Sequence, residues 1–298
     1  MYNILYNNFL EREKIMYTDY HIHSTFSPDG KSSMEEMILR AIDLNLKEIC
    51  FTDHVDYEAK SDWEDPDNLI YQNNVAVSSH LIPITNVKYL NYYQTIQNLK
   101  KLYGNQISLK LGLEFGMQAH TIERFENLFK QYPFDFIILS IHEIENKELW
   151  NQNFQHNKTQ QEYNEQYYES LLYLVQNYHH YSVLGHMDII RRYDPLGNYP
   201  FKYLKAIITE ILKTVIADNK GIEINTSSYR YGIDDLTPSR DILKLYKELG
   251  GRILTIGSDS HKKEHLGAFI DKTKDELKSL GFKEFCTFDQ MKPIFHNL

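Results

Sequence analysis

Cysteine is scarce: the 298-residue chain has two, Cys50 and Cys286, far apart and in no CxxC pattern. That excludes a disulfide scaffold and a thiolate zinc site, and it points to a reducing compartment. Clustered positive charge is missing as well. There are 32 basic against 41 acidic residues, a formal net charge of −9, and no run of Lys or Arg. An acidic chain without a basic stripe repels a polyphosphate backbone, so nucleic acid is a disfavoured partner. No stretch of about 18 apolar residues exists to span a membrane. The opening MYNILYNNFLEREK lacks the basic start and apolar run of a signal peptide. The expectation is a soluble, cytoplasmic protein. Hydrophobic residues make up 42% and charged residues 24%, an ordinary balance that supplies a sizeable core and argues against disorder. The 23 tyrosines are scattered and read as helix packing and surface.

What is present is an alternation of short apolar, β-branched runs with longer amphipathic ones. The strand-like runs are Tyr17–His23, Glu48–His54, Ser108–Phe115, Phe134–His142, Ser182–Ile190, Gly221–Thr226 and Arg252–Ser258. Runs such as FDFIILS are apolar throughout, as parallel strands buried on both faces require. Between them lie helical patterns. One has Ser33 as N-cap and Glu36 three residues later, a capping box, with Met37, Ile38, Ala41 and Ile42 on one face. Another opens with Thr237 and Pro238 and stops at Gly250–Gly251, which fits Pro at the first helical position and Gly past the end. Seven strands with helical crossovers predict a parallel, barrel-like α/β fold. Residues 1–16 read as an N-terminal extension, with Met16 just before the first strand, and 17–298 as a single barrel domain. Residues 55–87 look irregular and suit a long loop or lid near a site. There is no internal repeat.

The histidines and acids fall at revealing places. His21 and His23 close the first strand, followed by Asp29 in SPDG; Asp53-His54 closes the second. Glu114 closes the third and His142 the fourth, His186 lies in GHMD on the fifth, and Asp259-Ser260-His261 follows the seventh. In a parallel barrel these are C-terminal strand ends, the face where barrel enzymes build their sites. Residues i and i+2 of an extended strand point the same way, so His21 and His23 both reach the barrel mouth, as do Asp259 and His261. Imidazoles with carboxylates are the ligand set of zinc, manganese or iron, and a bridging carboxylate allows more than one ion. Taken singly, each residue has a plainer reading. A strand-end His is a hydrogen-bonded structural group, Glu114 an ion-paired acid, and Asp29 an ordinary turn residue. Those readings fail jointly, because six histidines and three acids would then meet at one rim by accident. His80, His120, His156, His179, His180, His265 and His296 have no such placement and read as surface or core residues.

The segments DYHIHSTFSPDG, FTDH, GLEFG, SIHE, GHMD and GSDSH, in that order over roughly residues 17 to 267, resemble the successive motifs of the polymerase-and-histidinol-phosphatase (PHP) family. SPDG after HxH, with a long middle insert, is most similar to the stand-alone histidinol-phosphatases. Many relatives have His where this chain has Asp29; an Asp there is acceptable as a ligand and is taken as one. The resemblance implies a distorted (β/α)7 TIM-like barrel with a trinuclear centre of zinc, manganese or iron at the C-terminal strand ends. Carried over residue by residue, one ion is held by His21, His23, Glu114 and Asp259. Glu114 bridges to a second held by His142 and His186, and a third lies between Asp29, His54 and His261.

The implied activity is hydrolysis of L-histidinol phosphate to L-histidinol and phosphate by a metal-bridged hydroxide, a step of histidine biosynthesis. Phosphate monoesters are among the slowest to hydrolyse uncatalysed, and clustered ions suit that demand. Arg191 or Arg192, just past GHMD, and Arg230, past IEINTSS, are candidate phosphate partners; a surface salt bridge is the plainer reading of each. The proton for the leaving alcohol falls to Asp259 or a nearby histidine, His261 being the candidate beside it. Asp56 and Glu58 could pair with a substrate ammonium, although solvated charges are the stronger reading. The alternatives are a PHP exonuclease, which needs the basic track this chain lacks, a phosphatase of other sugar or nucleotide esters, and a catalytically silent metal-binding module. A metallo-amidohydrolase would require a metal-bridging lysine, and no strand end supplies one.

Overall fold

The apolar runs assemble into a parallel sheet that curls until its two edges meet. The computed structural model describes residues 17–62 and 84–298. Its sheet runs β1 (Thr18–Ile22), β2 (Glu48–Phe51), β4 (Ser108–Gly116), β5 (Phe136–Ser140), β8 (Val183–Leu184), β9 (Gly221–Asn225), β10 (Leu254–Gly257), with β3 (His54–Val55) paired to β4. Every pairing in it is parallel; β6 (Glu143–Ile144) and β7 (Lys147–Glu148) form a small antiparallel hairpin apart from it. At the seam, the His23 N–H donates to the Ser260 carbonyl at 2.9 Å, and the Ser260 N–H donates to the His21 carbonyl at 3.3 Å. Asp19 fastens that seam from inside β1. Its carboxylate accepts from the Ser258 N–H, the Ser258 Oγ–H and the Gly267 N–H. The nearly closed seven-stranded barrel is the α/β fold that the strand-like runs predict.

Seven helices clothe it among the described residues: α1 (Met34–Asp43), α2 (Tyr89–Tyr103), α3 (Ile122–Phe129), α4 (Gln160–Asn177), α5 (Phe201–Ala217), α6 (Arg240–Glu248) and α7 (Ile270–Ser279). The capping box of α1 forms as expected, with Ser33 and Glu36 each satisfying the other's backbone N–H. Thr159 and Glu162 repeat it at the start of α4. Such a cap is worth about 1 kcal/mol. Met37, Ile38 and Ala41 are buried against the barrel, and Ile42 is partly so.

Three details depart from expectation. Helix α6 is capped by Ser239, whose Oγ accepts from the Ile242 N–H, rather than by Thr237; the Thr237–Pro238 peptide is cis. Gly250 does follow it, at φ +88°. The fifth strand, expected over Ser182–Ile190, shrinks to the two residues of β8, because the chain leaves the sheet at Gly185–His186 and enters a 3₁₀ turn, Ile189–Tyr193. The C-terminal hairpin β11 (Glu284–Asp289)–β12 (Lys292–Asn297) was not expected. It has a clear use: Phe136 and Ile138, on the inner face of β5, join Tyr20, Cys50 and Val183 in a cluster that Cys286 and Phe288 of β11 cover. That fills the lower end of the barrel and leaves the upper end for chemistry. The central part of the irregular stretch, 63–83, lies outside the described residues, as do residues 1–16. No helix among the described residues is long and apolar enough to cross a membrane.

Candidate metal centre

Glu114 stands at the middle of the upper end and is buried. One carboxylate oxygen, Oε2, lies 3.2 Å from His21 Nε2 and 3.0 Å from His54 Nδ1. The other, Oε1, lies 3.2 Å from His142 Nε2 and 2.8 Å from His186 Nε2, and accepts from Ser140 Oγ at 2.7 Å. A carboxylate facing four imidazoles from four different strand ends is placed to bridge ions. Asp259 lies across from it, 3.7 Å from His21 Nε2 and 3.5 Å from His23 Nε2. The ring of His23 stacks between His54 and His261, with centroids 4.1 and 4.2 Å away. Asp29 is the exposed member at the rim, 3.0 Å from His261 Nε2 and 3.6 Å from His54 Nε2. All nine residues expected at one rim therefore lie there together.

Among the described residues, four triads have donor atoms within 4.8 Å of one another: His21, His23 and Asp259; His21, Glu114 and His186; His23, His54 and His261; and His54, Asp56 and His142. Several polar atoms of this cluster are buried without a hydrogen-bond partner among the described residues: His21 Nε2, both ring nitrogens of His23, His54 Nδ1 and Glu114 Oε2. Buried polar atoms are almost always paired, and a cluster of orphans whose lone pairs converge is what divalent cations would satisfy. The residues therefore fit a metal centre of nitrogen and oxygen ligands. The electrostatics agree. Burial would raise Glu114 and Asp259, yet His21 and the other surrounding imidazoles hold both well below the usual carboxylate range. Burial and the neighbouring His54 and His261 keep His23 far below the ordinary imidazole value. Burial and Lys60 would lower His54, but Asp29 and Glu114 lift it to about 9.

Two acids that the sequence did not single out as part of this centre hold its rings. Glu223, wholly buried on β9, takes His21 Nδ1 at 2.5 Å through one oxygen and accepts from the His186 N–H at 2.8 Å through the other. Asp56 takes His142 Nδ1 at 2.7 Å and is ion-paired to Lys60. It is 1% exposed, so the solvated-charge reading of Asp56 is corrected. Glu58, by contrast, is exposed and paired with Arg124. A carboxylate on Nδ1 fixes which imidazole nitrogen faces the cluster. Glycine was the available signal. A Cβ on Gly116 would overlap Asp56 and His142, and one on Gly257 would overlap His21 and Glu223. Both strand-end glycines are where side chains must approach closely.

The arginines separate. Arg191 turns away to Asp188 and Asp235, at 2.8 and 3.3 Å, and ties the 3₁₀ turn to the segment before α6. Arg192 reaches Ser227 Oγ at 2.5 Å and comes within 3.8 Å of Asp259 Oδ2, and its buried Nε has no hydrogen-bond partner among the described residues. Arg230 donates to the carbonyls of Ser258 and Asp259 at 2.7 and 2.8 Å. Asp259 itself, and His186, have positive φ, 53° and 20°, a strain that concentrates at working sites. His120, His156, His179 and His180 are exposed and His265 and His296 partly so; His265 lies near enough to Arg230 and His261 to feel their charge. His80 lies outside the described residues.

Residues 19–227 match the family model described as PHP domain. The histidinol-phosphatase of Lactococcus lactis is 32% identical over 92% of this chain and 95% of its own length. The probable histidinol-phosphatase of Thermotoga maritima is 28% identical over 93% of this chain and 97% of its own. Among solved structures, the L. lactis histidinol phosphate phosphatase complexed with zinc, L-histidinol and phosphate superposes with a TM-score of 0.79 at 30% identity, covering 94% of this chain and 99% of the other. A Listeria monocytogenes structure, TM-score 0.64 at 20% identity, shares the fold. The ordered motifs, the barrel and the ligand-rich rim converge with these matches on one conclusion: the chain belongs to the PHP domain family.

Proposed function

We infer that this protein is a metal-dependent histidinol-phosphatase, hydrolysing L-histidinol phosphate to L-histidinol and phosphate. The observation that carries the chemistry is the buried Glu114 facing His21, His54, His142 and His186 with unpartnered donor atoms around it. The substrate is supported by the L. lactis relatives, matched over almost the whole chain.

His21, His23, Asp29, His54, Glu114, His142, His186, Asp259 and His261 would hold three divalent ions, zinc, manganese or iron. Bound there, the ions neutralise phosphoryl charge and make water acidic enough to be deprotonated near neutral pH. The protein groups do the rest. Glu223 and Asp56 lock the tautomers of His21 and His142, so that Nε2 of each faces the cluster. Arg192, with its unpartnered Nε, and Arg230 stand against Asp259 and present guanidinium groups to the phosphate oxygens. Arg191, spent on Asp188 and Asp235, braces the turn that carries Arg192 and is not a phosphate contact in this proposal. Asp259, kept ionised by the imidazoles beside it, takes the proton of the attacking water. With His261 at 3.7 Å, it returns a proton to the departing alcohol oxygen.

The test is phosphate release from L-histidinol phosphate by purified protein, with metal content measured on the same sample. Turnover with kcat/KM above about 10⁴ M⁻¹s⁻¹, lost with bound metal in His142→Ala, is the expected result. Bound metal with turnover only of other phosphate esters would move the substrate. Absence of both metal and turnover would overturn the centre.

A further inference from the structure

Tyr231 is a large ring left 60% exposed beside a buried site. A single exposed aromatic needs no explanation; what it touches does. Its backbone N–H donates to the carbonyls of Ser227 and Ser228 at 3.1 and 3.2 Å, closing a tight turn after β9 that fixes where the ring stands. The ring centroid lies 4.1 Å from the guanidinium carbon of Arg192, and the ring of Tyr193 lies 5.9 Å from the same atom. That guanidinium is the group that reaches Ser227 and comes within 3.8 Å of Asp259. Arg192 therefore joins an aromatic patch to the wall of the metal centre. One face of Tyr231 is used on Arg192, and the exposure of the ring leaves the rest of its surface open.

We propose that Tyr231, with Tyr193 beside it, is a stacking platform for a flat heteroaromatic ring carried by the alcohol part of the substrate, and so a specificity-determining residue. The proposal rests on the histidinol-phosphatase reading and deepens it. In L-histidinol phosphate three saturated carbons separate the ester oxygen from the imidazole. A phosphate held at Arg192 thus keeps its ring within a side chain's length of that guanidinium, where the tyrosine stands. A Tyr ring with a guanidinium on one face still offers its other face for offset stacking with a neutral imidazole.

The experiment compares the metal-loaded wild type with Tyr231→Ala and Tyr231→Phe on two esters, L-histidinol phosphate and glycerol phosphate. Inhibition by L-histidinol and by inorganic phosphate is measured separately. Stacking on an aromatic side chain is worth about 1–3 kcal/mol by alanine substitution, so about a tenfold fall in the preference for L-histidinol phosphate is expected for Tyr231→Ala. It should reside in KM and be matched by weaker inhibition by L-histidinol. Tyr231→Phe should keep the preference. An equal loss on both esters, with phosphate inhibition weakened as well, would mean that Tyr231 only supports Arg192, and it overturns the platform. Unchanged preference does the same. A wild type that cleaves glycerol phosphate but not L-histidinol phosphate would overturn the substrate reading first, and the platform with it.

Discussion

At the scale of single residues, the carboxylates behind the imidazoles do as much as the imidazoles themselves. Asp56 has almost no solvent to stabilise its charge; among the described residues His142, Lys60 and, at 3.9 Å, His54 do so. Replacing it by Asn keeps the shape and removes the anion that makes His142 a better donor at Nε2. Losing such a partner costs roughly 10- to 100-fold in metal affinity, so Asp56→Asn should hold at least one ion correspondingly more weakly. Competition with a chromophoric chelator would read this, and unchanged affinity for every ion would sink it. That eight of the nine candidate ligands meet at one rim was legible because they end or follow strands, and a strand end in a parallel barrel has a known direction; Asp29, in the SPDG turn, was placed there by the family resemblance. Asp56 and Glu223 were not legible, because their partners lie 86 and 202 residues away and meet them only through the fold. Nor could sequence divide Arg191 from Arg192, which are adjacent; the 3₁₀ turn that sends one to Asp188 and the other to Asp259 does that.

At the scale of elements, the helices announced themselves where local chemistry decides the boundary, as in the Ser33–Glu36 box. They misled where tertiary context decides it, as at Pro238. The hairpin β11–β12 was the larger omission. Its apolar residues have a use only once a barrel floor exists to be covered. It is tied to the helical layer by Lys274 of α7, 3% exposed, whose ammonium lies 4.2 Å over the ring of Phe285. Burial holds this lysine down to about 8, with Asp271 opposing and Lys278 adding to the shift. Its folded value is below its unfolded one, so the sign is fixed. Below about pH 8 the folded state bears the net cost of keeping this ammonium charged out of water. Stability contributed by this residue then rises with pH up to its ordinary value of 10.5. Lys274→Met should therefore stabilise the protein near pH 7, on the order of 1–3 kcal/mol, and the advantage should fade above pH 8. Urea titrations of both proteins at pH 7 and 9.5 test this; an advantage that does not shrink would refute the assignment.

At the scale of the whole molecule, the barrel is sealed where its first and last strands meet, and the seam is thin. Among the described residues, one bridge, Ile22 with Ser260, joins them in addition to the contacts of Asp19. The expected ligands straddle that line: His21 and His23 come from the opening strand, Asp259 and His261 from the stretch that follows the closing one. With the proposed ions bound, the centre is a clasp that ties the two ends of nearly the entire chain into a ring. Closing a loop of that length in the unfolded chain costs substantial entropy, and a reversible inorganic cross-link placed there does the work a disulfide would do in an oxidising medium, for a protein whose two cysteines are free and buried at the barrel floor. Stripping the metal with a chelator should then do more than stop turnover. The amides of His23 and Ser260 should lose protection from deuterium exchange before those of β4 and β5, and the barrel should come apart along one line like a split hoop. Uniform loss across all strands would show that the ions hold no such clasp.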